Sequence, residues 1–438
     1  MRLTRAQSSR PNIIFIMADD LGYADLSCYG RREYETPVLD RMAEDGVQLM
    51  QAYSNSAVCS ATRVGLITGR YQYRLAYGLE EPGGRAEGSG LPTDHPTLPS
   101  ILRDSGYRTV LVGKWHMGAP PNFGPLKCGY DDFFGIYGGG ADYFRHGEAE
   151  LGAGAVLIDR DKPANAQGYM TDLLAERAVK EIHKSAQDRK PLFMSLHFTA
   201  PHWPWEGPQD VDVSRSRTAR SLFHFDGGNL KVYSEMVQSL DRNVGRVLDA
   251  LESHGMTSNT IVIFTSDNGG ERFSDVWPFV GMKCELLEGG IRVPCLVKWP
   301  DVIGRRGRSE QVAVSMDWMP TLLAAAGAAP HPDYPSDGEN LLPQLTGAAV
   351  RPRKLFWRFK ANEQSAHRDG DWKYLKIHGR EYLFDVVQDP RERANLEKVR
   401  PEIFARLKAD YQAWDATMLP YTEATNSYDV TGNYSDRY

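Results

Sequence analysis

Four short apolar runs set the limits on how this chain can fold: residues 13–17 (Ile-Ile-Phe-Ile-Met), 110–112, 192–198 and 261–264. Stretches of helical periodicity separate them, and that alternation is the pattern of a parallel sheet with helices on its faces. Thr36-Pro37 offers an N-cap and a first-turn proline for a helix through Glu44, and residues 98–103 read as a short helix stopped by Gly106. Longer helices are expected over 169–184 and 232–251. In the second, Val237, Leu240, Val244, Val247, Leu248 and Leu251 recur at helical spacing and Gly255 closes it. From about Lys354 the pattern changes to three strand-like runs, 355–359, 372–377 and 382–386, then a helix near 401–417. The expected architecture is an α/β domain over 11–345, with a mostly parallel sheet between helices, and a smaller subdomain over 346–438 with an antiparallel sheet and one covering helix. The Pro- and Gly-rich stretch between His331 and Pro352 marks the boundary.

Several function classes drop out on composition. Fifty-one Lys and Arg against 57 Asp and Glu, a formal charge of −6, leave no basic excess for gripping nucleic acid. No apolar run approaches the ~18 residues of a spanning helix, so no membrane partner is expected. Five cysteines, at 28, 59, 128, 284 and 295, are odd in number and form no CxxC pair, which points away from a disulfide framework or a thiolate zinc site. The first ten residues are basic, but the apolar stretch after them is too short for a secretory signal, so the cytoplasm is the expected location.

The chemistry gathers where the apolar runs end. Ligand sites in open parallel sheets lie beyond the carboxyl ends of strands. Run 13–17 leads into Asp19-Asp20, and run 261–264 into Asp267-Asn268-Gly269-Gly270. Adjacent buried carboxylates repel unless a positive charge sits between them, and a hard divalent cation such as calcium or magnesium is the natural solution. Taken singly, each motif also reads as a plain cap or turn; together, ending similar strands, they favour a metal site. Run 110–112 leads to Gly113-Lys114-Trp115-His116, with Lys114 and His116 on one face, and run 192–198 leads to Thr199-Ala200-Pro201-His202. Two histidines and a lysine beside a metal suit acid/base work on an anionic substrate. Cys59 opens a helix that Gly69 ends, and Arg63, four residues on, shares its face. A helix N-terminus and a guanidinium both stabilise negative charge, although a lone cysteine is more often a buried structural residue. Residue physics thus reaches a metal-assisted hydrolase or transferase acting on an oxyanion ester, and leaves phosphate and sulfate both open.

The motifs resemble those of the formylglycine-dependent sulfatases, of arylsulfatase type, in the alkaline phosphatase superfamily. Cys59-Ser60-Ala61-Thr62-Arg63 is similar to the segment in which that family's cysteine is oxidised to formylglycine. Residues 106–109 and 113–118 are similar to its second signature. Asp19-Asp20, Ala200-Pro201-His202, Asp267-Asn268-Gly269, Lys283 and 288–294 follow in the family's order, so the resemblance runs from about residue 11 to the C-terminus. It implies a calcium ion, less often magnesium, held by Asp19, Asp20, Asp267, Asn268 and the modified residue 59. It implies that one hydroxyl of the hydrated aldehyde attacks sulfur, giving a covalent sulfate and expelling the alcohol, and that the second ejects inorganic sulfate. Arg63 would assist ionisation of the nucleophile, Lys114 and Lys283 would offset charge on the sulfate oxygens, His202 with Lys283 would protonate the leaving oxygen, and His116 would deprotonate the second hydroxyl. Asp267 would double as metal ligand and partner of the nucleophile. Ala61 and Thr62 depart from the family's usual Pro and Ser, which leaves open whether a formylglycine-generating enzyme or a radical maturase acts on Cys59.

The expected substrate is a small sulfate monoester, an aryl sulfate or a sulfated carbohydrate. The alternatives are a phosphonate or phosphate ester hydrolase of the same superfamily, or an inactive anion-binding protein with Cys59 unmodified. Residues 129–145 and 203–220 are expected to border the pocket, where Tyr143, Phe144, Trp203 and Trp205 either stack on a ring of the substrate or pack locally.

Overall fold

The computed structural model describes residues 10–83, 88–148, 155–217, 227–304 and 306–428. Residues 1–9, most of the basic N-terminal stretch, and 218–220, the end of the second pocket-bordering loop, lie outside them.

Among the described residues, ten strands form the large sheet: β1 (Asn12–Ala18), β2 (Val47–Tyr53), β3 (Arg108–Lys114), β4 (Asp132–Ile136), β5 (Ile158–Asp159), β6 (Lys162–Pro163), β7 (Leu192–His197), β8 (Thr260–Ser266), β9 (Cys295–Lys298) and β10 (Gly307–Val314). Their order is β10-β2-β9-β8-β1-β7-β3-β4-β5-β6. β1 lies between β7 and β8 and runs parallel to both, and β3 is parallel to β7. Their carboxyl ends therefore reach one edge together. β9 runs antiparallel to β2 and β8, so the sheet is mixed.

Along β1, Ile14 and Ile16 join one core layer, with Leu174, Ile182, Val237 and Leu240 from the helices Met170–Asp188 and Leu230–Ser253. Ile13, Phe15 and Met17 join the other, with Leu98, Trp318 and Leu322 from the helices Leu98–Asp104 and Trp318–Ala326. Burial on both faces explains why this strand is apolar throughout instead of alternating. Thr36 stands at the N-cap of the helix Pro37–Asp45 without capping it, because its hydroxyl is taken up with Ser27 and Asp40. Among the described residues no helix is long and apolar enough to cross a membrane.

The C-terminal sheet has four antiparallel strands, β11 (Lys354–Phe359), β12 (Gln364–Asp369), β13 (Trp372–Ile377) and β14 (Arg380–Asp385), where three apolar runs were expected. β12 reads Gln-Ser-Ala-His-Arg-Asp and carries no apolar signal. Its buried polar side chains find partners that only the tertiary fold supplies: the Leu286 amide for Gln364, the Leu355 carbonyl for His367 Nδ1 and the Tyr53 hydroxyl for Arg368. The helix Pro401–Asp415 covers one face through Leu407 and Tyr411. The opposite face shares a core with Tyr53, Ala57, Val58, Cys59 and Ile291 of the larger unit.

Candidate active site

Strand register places the chemical groups before any side chain is considered. Ala18 pairs with Ser266, so Asp19 and Asp267 leave adjacent strands side by side, and Gly113 pairs with His197 on the neighbouring strand. Gly113 has φ +113°, and a Cβ there would fall 1.8 Å from the His197 carbonyl oxygen. Only glycine permits that approach, which delivers Lys114 and His116 to the carboxyl edge. Asp20, His116 and Cys284 adopt positive φ without being glycine, strain of the kind that gathers at functional sites. The fourth wall is the helix Cys59–Thr68, whose first residue is Cys59 and whose C-cap, Gly69, is left-handed.

The structure brings all ten expected site residues together in a buried cluster. Lys114 Nζ donates to Asp19 Oδ2 at 2.6 Å, Lys283 Nζ to Asp20 Oδ2 at 2.6 Å and Arg63 Nη2 to Asp267 Oδ2 at 2.7 Å. Three carboxylates thus face three cations. Asn268 Nδ2 donates to Asp20 Oδ1 at 2.7 Å, and the Asp20 amide to Asp267 Oδ1 at 3.2 Å. Cys59 Sγ lies 3.2 Å from His116 Nδ1, and His202 Nε2 lies 3.5 Å from Asp20 Oδ2. His202 Nδ1 donates to the Trp203 carbonyl at 2.6 Å, which leaves Nε2 facing the cluster.

Two buried oxygens, Asp19 Oδ1 and Asn268 Oδ1, have no hydrogen-bond partner. Ligand atoms of Asp19, Cys59 and Asp267 lie within 4.8 Å of one another, as do those of Asp19, Asp20 and His202. Orphaned hard oxygens among grouped carboxylates fit a divalent cation bound through oxygen. The titration pattern agrees. Burial, with Asp267 next to it, pushes Asp19 well above the usual carboxylate range. Burial also acts on Asp267, but Arg63 and Lys114 outweigh it and hold that group low. Burial together with Lys114 and Arg63 keeps His116 neutral, and burial together with Lys283 and Lys114 does the same for His202. Burial works against the charge on Lys283, yet Asp20 keeps its ammonium protonated.

One site residue was missed in the sequence. His197, inside run 192–198, has Nδ1 3.2 Å from Arg63 Nη1, beside the Lys114 carbonyl that also accepts from that guanidinium at 3.0 Å. Burial and Arg63 hold it down at about 3, so it is a neutral partner to the guanidinium. A histidine interrupting an otherwise apolar run was the available signal.

The four aromatic candidates separate. Tyr143 is buried with its hydroxyl on the Thr199 and His202 carbonyls, and Trp205 is buried against Phe273, so both pack locally and neither can stack on a substrate. Trp203, half-buried beside the His202 ring, and Phe144 keep exposed surface. Behind Trp205, burial and the neighbouring Asp142 raise Glu206 to about 8, only partly opposed by the Tyr143 amide and Arg217. A carboxyl raised on folding favours the native state while protonated there, and that contribution is lost as pH rises from about 4.5 through about 8. Glu206→Gln is therefore expected to flatten the decline in urea midpoint between about pH 5 and pH 8, which parallel titrations of the two proteins would show.

Fold and site together place a buried cysteine, paired carboxylates and flanking ammonium groups at the carboxyl edge of the sheet in an alkaline phosphatase-like fold. The family profile described as Sulfatase matches residues 11–328. The N-acetylgalactosamine-6-sulfatase of Canis lupus familiaris is 31% identical over 368 residues, covering 79% of this chain and 68% of that protein. The N-acetylgalactosamine-6-O-sulfatase of Bacteroides thetaiotaomicron is 29% identical and covers 91% and 92%. Among solved structures, Ps i-CgsB superimposes with a TM-score of 0.85 at 29% identity over 97% of this chain and 96% of that one, and its complex with k-i-k-neocarrahexaose gives 0.84. The chain belongs to the sulfatase family, and its activity is sulfuric ester hydrolysis.

Proposed function

We propose that this sulfatase removes sulfate from a small sulfated carbohydrate, using a formylglycine made from Cys59 and a calcium ion. The observation that carries the mechanism is the place of residue 59: first in its helix, 3.2 Å from a neutral histidine and grouped with Asp19 and Asp267. The names of the relatives, two N-acetylgalactosamine sulfatases and a protein crystallised with a neocarrahexaose, support the sugar substrate.

Asp19, Asp20, Asp267 and Asn268, with residue 59, would hold the calcium, whose charge would make the attacking hydroxyl easier to ionise. Hydrated formylglycine supplies two hydroxyls on one carbon, one to attack sulfur with departure of the alcohol and one to release sulfate from the resulting ester. Arg63, fixed between Asp267, His197 and the Lys114 carbonyl, keeps positive charge beside residue 59. Lys114 and Lys283 reach into the same space and offset the sulfate oxygens. His116, held neutral, is a free base beside residue 59 that takes the proton of the second hydroxyl. Lys283 and His202, both turned toward Asp20 Oδ2, serve the departing oxygen. A formylglycine-forming enzyme is the implied partner.

The peptide containing position 59 is expected to have lost one sulfur and two hydrogens and gained one oxygen. Against matched aryl sulfate, phosphate diester and phosphonate monoester, and against sulfated sugars, the sulfates should be cleaved with the highest kcat/KM. An unmodified thiol in every molecule would favour the binding-protein reading, and preference for a phosphorus ester would displace the sulfatase mechanism.

A further inference from the structure

Lys283 does not sit on a strand or helix. It lies in the irregular segment between β8 and the short helix Glu288–Ile291, yet its ammonium must be placed to within a few tenths of an ångström to serve a departing oxygen. Its amide donates to the Gly270 carbonyl at 3.0 Å and its ammonium to Asp20, and the segment just beyond it is held by the C-terminal sheet. Gln364, the first residue of β12, is buried, accepts from the Leu286 amide through Oε1 at 2.8 Å and donates from Nε2 to the Cys284 carbonyl at 2.8 Å. One side-chain amide thus satisfies two backbone groups just beyond Lys283. Between them they hold Cys284 at φ +68°, while its own amide donates to the Ala57 carbonyl at 2.8 Å, two residues before Cys59. The same sheet grips the next turn: Lys373 of β13 lies 3.0 Å from Glu288 and 2.9 Å from Glu392, whose other oxygen accepts the Glu288 amide at 2.7 Å.

We propose that Gln364 is a positioning residue for Lys283, so that the C-terminal sheet takes a direct part in stabilising the leaving group. The inference rests on the leaving-group role given to Lys283 above. As the sulfur–oxygen bond breaks, the departing oxygen keeps the bonding pair, and the Lys283 ammonium hydrogen-bonds it and supplies the proton that neutralises it. Loss of Gln364 releases the Cys284 carbonyl and the Leu286 amide from a buried partner, and the positive φ at Cys284 relaxes. Lys283 then loses its aim more than residue 59, which opens a different element and is tied to Cys284 only through the Ala57 carbonyl.

The test is how steeply rate depends on the leaving group. Q364L is compared with the wild type on a nitrophenyl sulfate, whose leaving anion is stable without help, and on phenyl sulfate, whose anion is not. The expected result is a fall in kcat on phenyl sulfate about tenfold larger than on the nitrophenyl ester, with KM little changed. Q364E, which keeps an acceptor for the Leu286 amide but loses the donor to Cys284, should fall between, and it carries the comparison if Q364L does not fold. L375A, at a buried position of β13 in the same core, serves as the control for general loosening and should leave the ratio of the two rates unchanged. Equal losses on both esters, or a shift of that ratio in L375A as large as in the Gln364 variants, would overturn the positioning role. A wild type inactive on every sulfate ester would instead overturn the functional reading and this inference with it.

Discussion

Cys59→Ala is expected to reduce sulfate ester hydrolysis by a factor on the order of 10^5 to 10^6, with KM within about threefold of the wild type. The asymmetry between the two constants follows from the placement of the groups. Lys114 and Lys283 are anchored on Asp19 and Asp20 and do not depend on the side chain at 59, so the charges proposed to hold a sulfate oxygen remain. Alanine suits the first turn of a helix and the buried surroundings at 59, so the fold should survive. What disappears is the only group at that position able to bond to sulfur, and His116 is left facing a methyl group. Single-turnover and steady-state rates, with a binding measurement using a non-hydrolysable sulfate analogue, check it. Residual turnover above about one per cent would mean that residue 59 is not the nucleophile.

Asp267→Asn should cost about 10^3 in kcat/KM and, in the cation-free protein, about 3–5 kcal/mol of stability. The substitution is nearly isosteric, so the effect is one of charge. Asp267 accepts from Arg63 at 2.7 Å, and Arg63 is fully buried with its other amine on His197 and the Lys114 carbonyl. Removing the carboxylate takes away the shorter ion pair of a buried guanidinium, leaving Asp19 at 4.0 Å, and also deprives the grouped carboxylates of one member. Chemical denaturation in chelator, set beside calcium titrations of both proteins followed by melting temperature, separates the two losses. The variant should be destabilised without ion and should need more calcium for the same rise. A wild-type calcium response in the variant would remove Asp267 from the ligand set.

How much of this was legible in the sequence depended on whether the signal was local. The central strands announced themselves because β1, β7 and β8 are buried on both faces and so are nearly continuous in apolar residues. The site followed from them, since chemistry in a parallel sheet collects where such runs stop, and Asp19, Lys114, His202 and Asp267 all stand at those stops. β12 was not legible. Gln364, His367 and Arg368 are polar yet buried, and each is stabilised by a group more than ten residues away that local patterning cannot register. Tyr143 and Trp205 were ambiguous for a related reason: aromatic composition does not say which face of a loop turns inward. His197 was visible but assigned to the interior of its strand, because its partner Arg63 is 134 residues away.

The core that Cys59 shares with the C-terminal sheet sets a deadline. A side chain only 2% exposed in the finished protein offers an enzyme no approach. If Cys59 is converted to formylglycine as proposed, a maturing enzyme would have to reach its sulfur before the C-terminal sheet packs against it. On the proposed maturation, slowing the closure of the final strands would raise the converted fraction, while hastening it would yield folded molecules with an unmodified thiol.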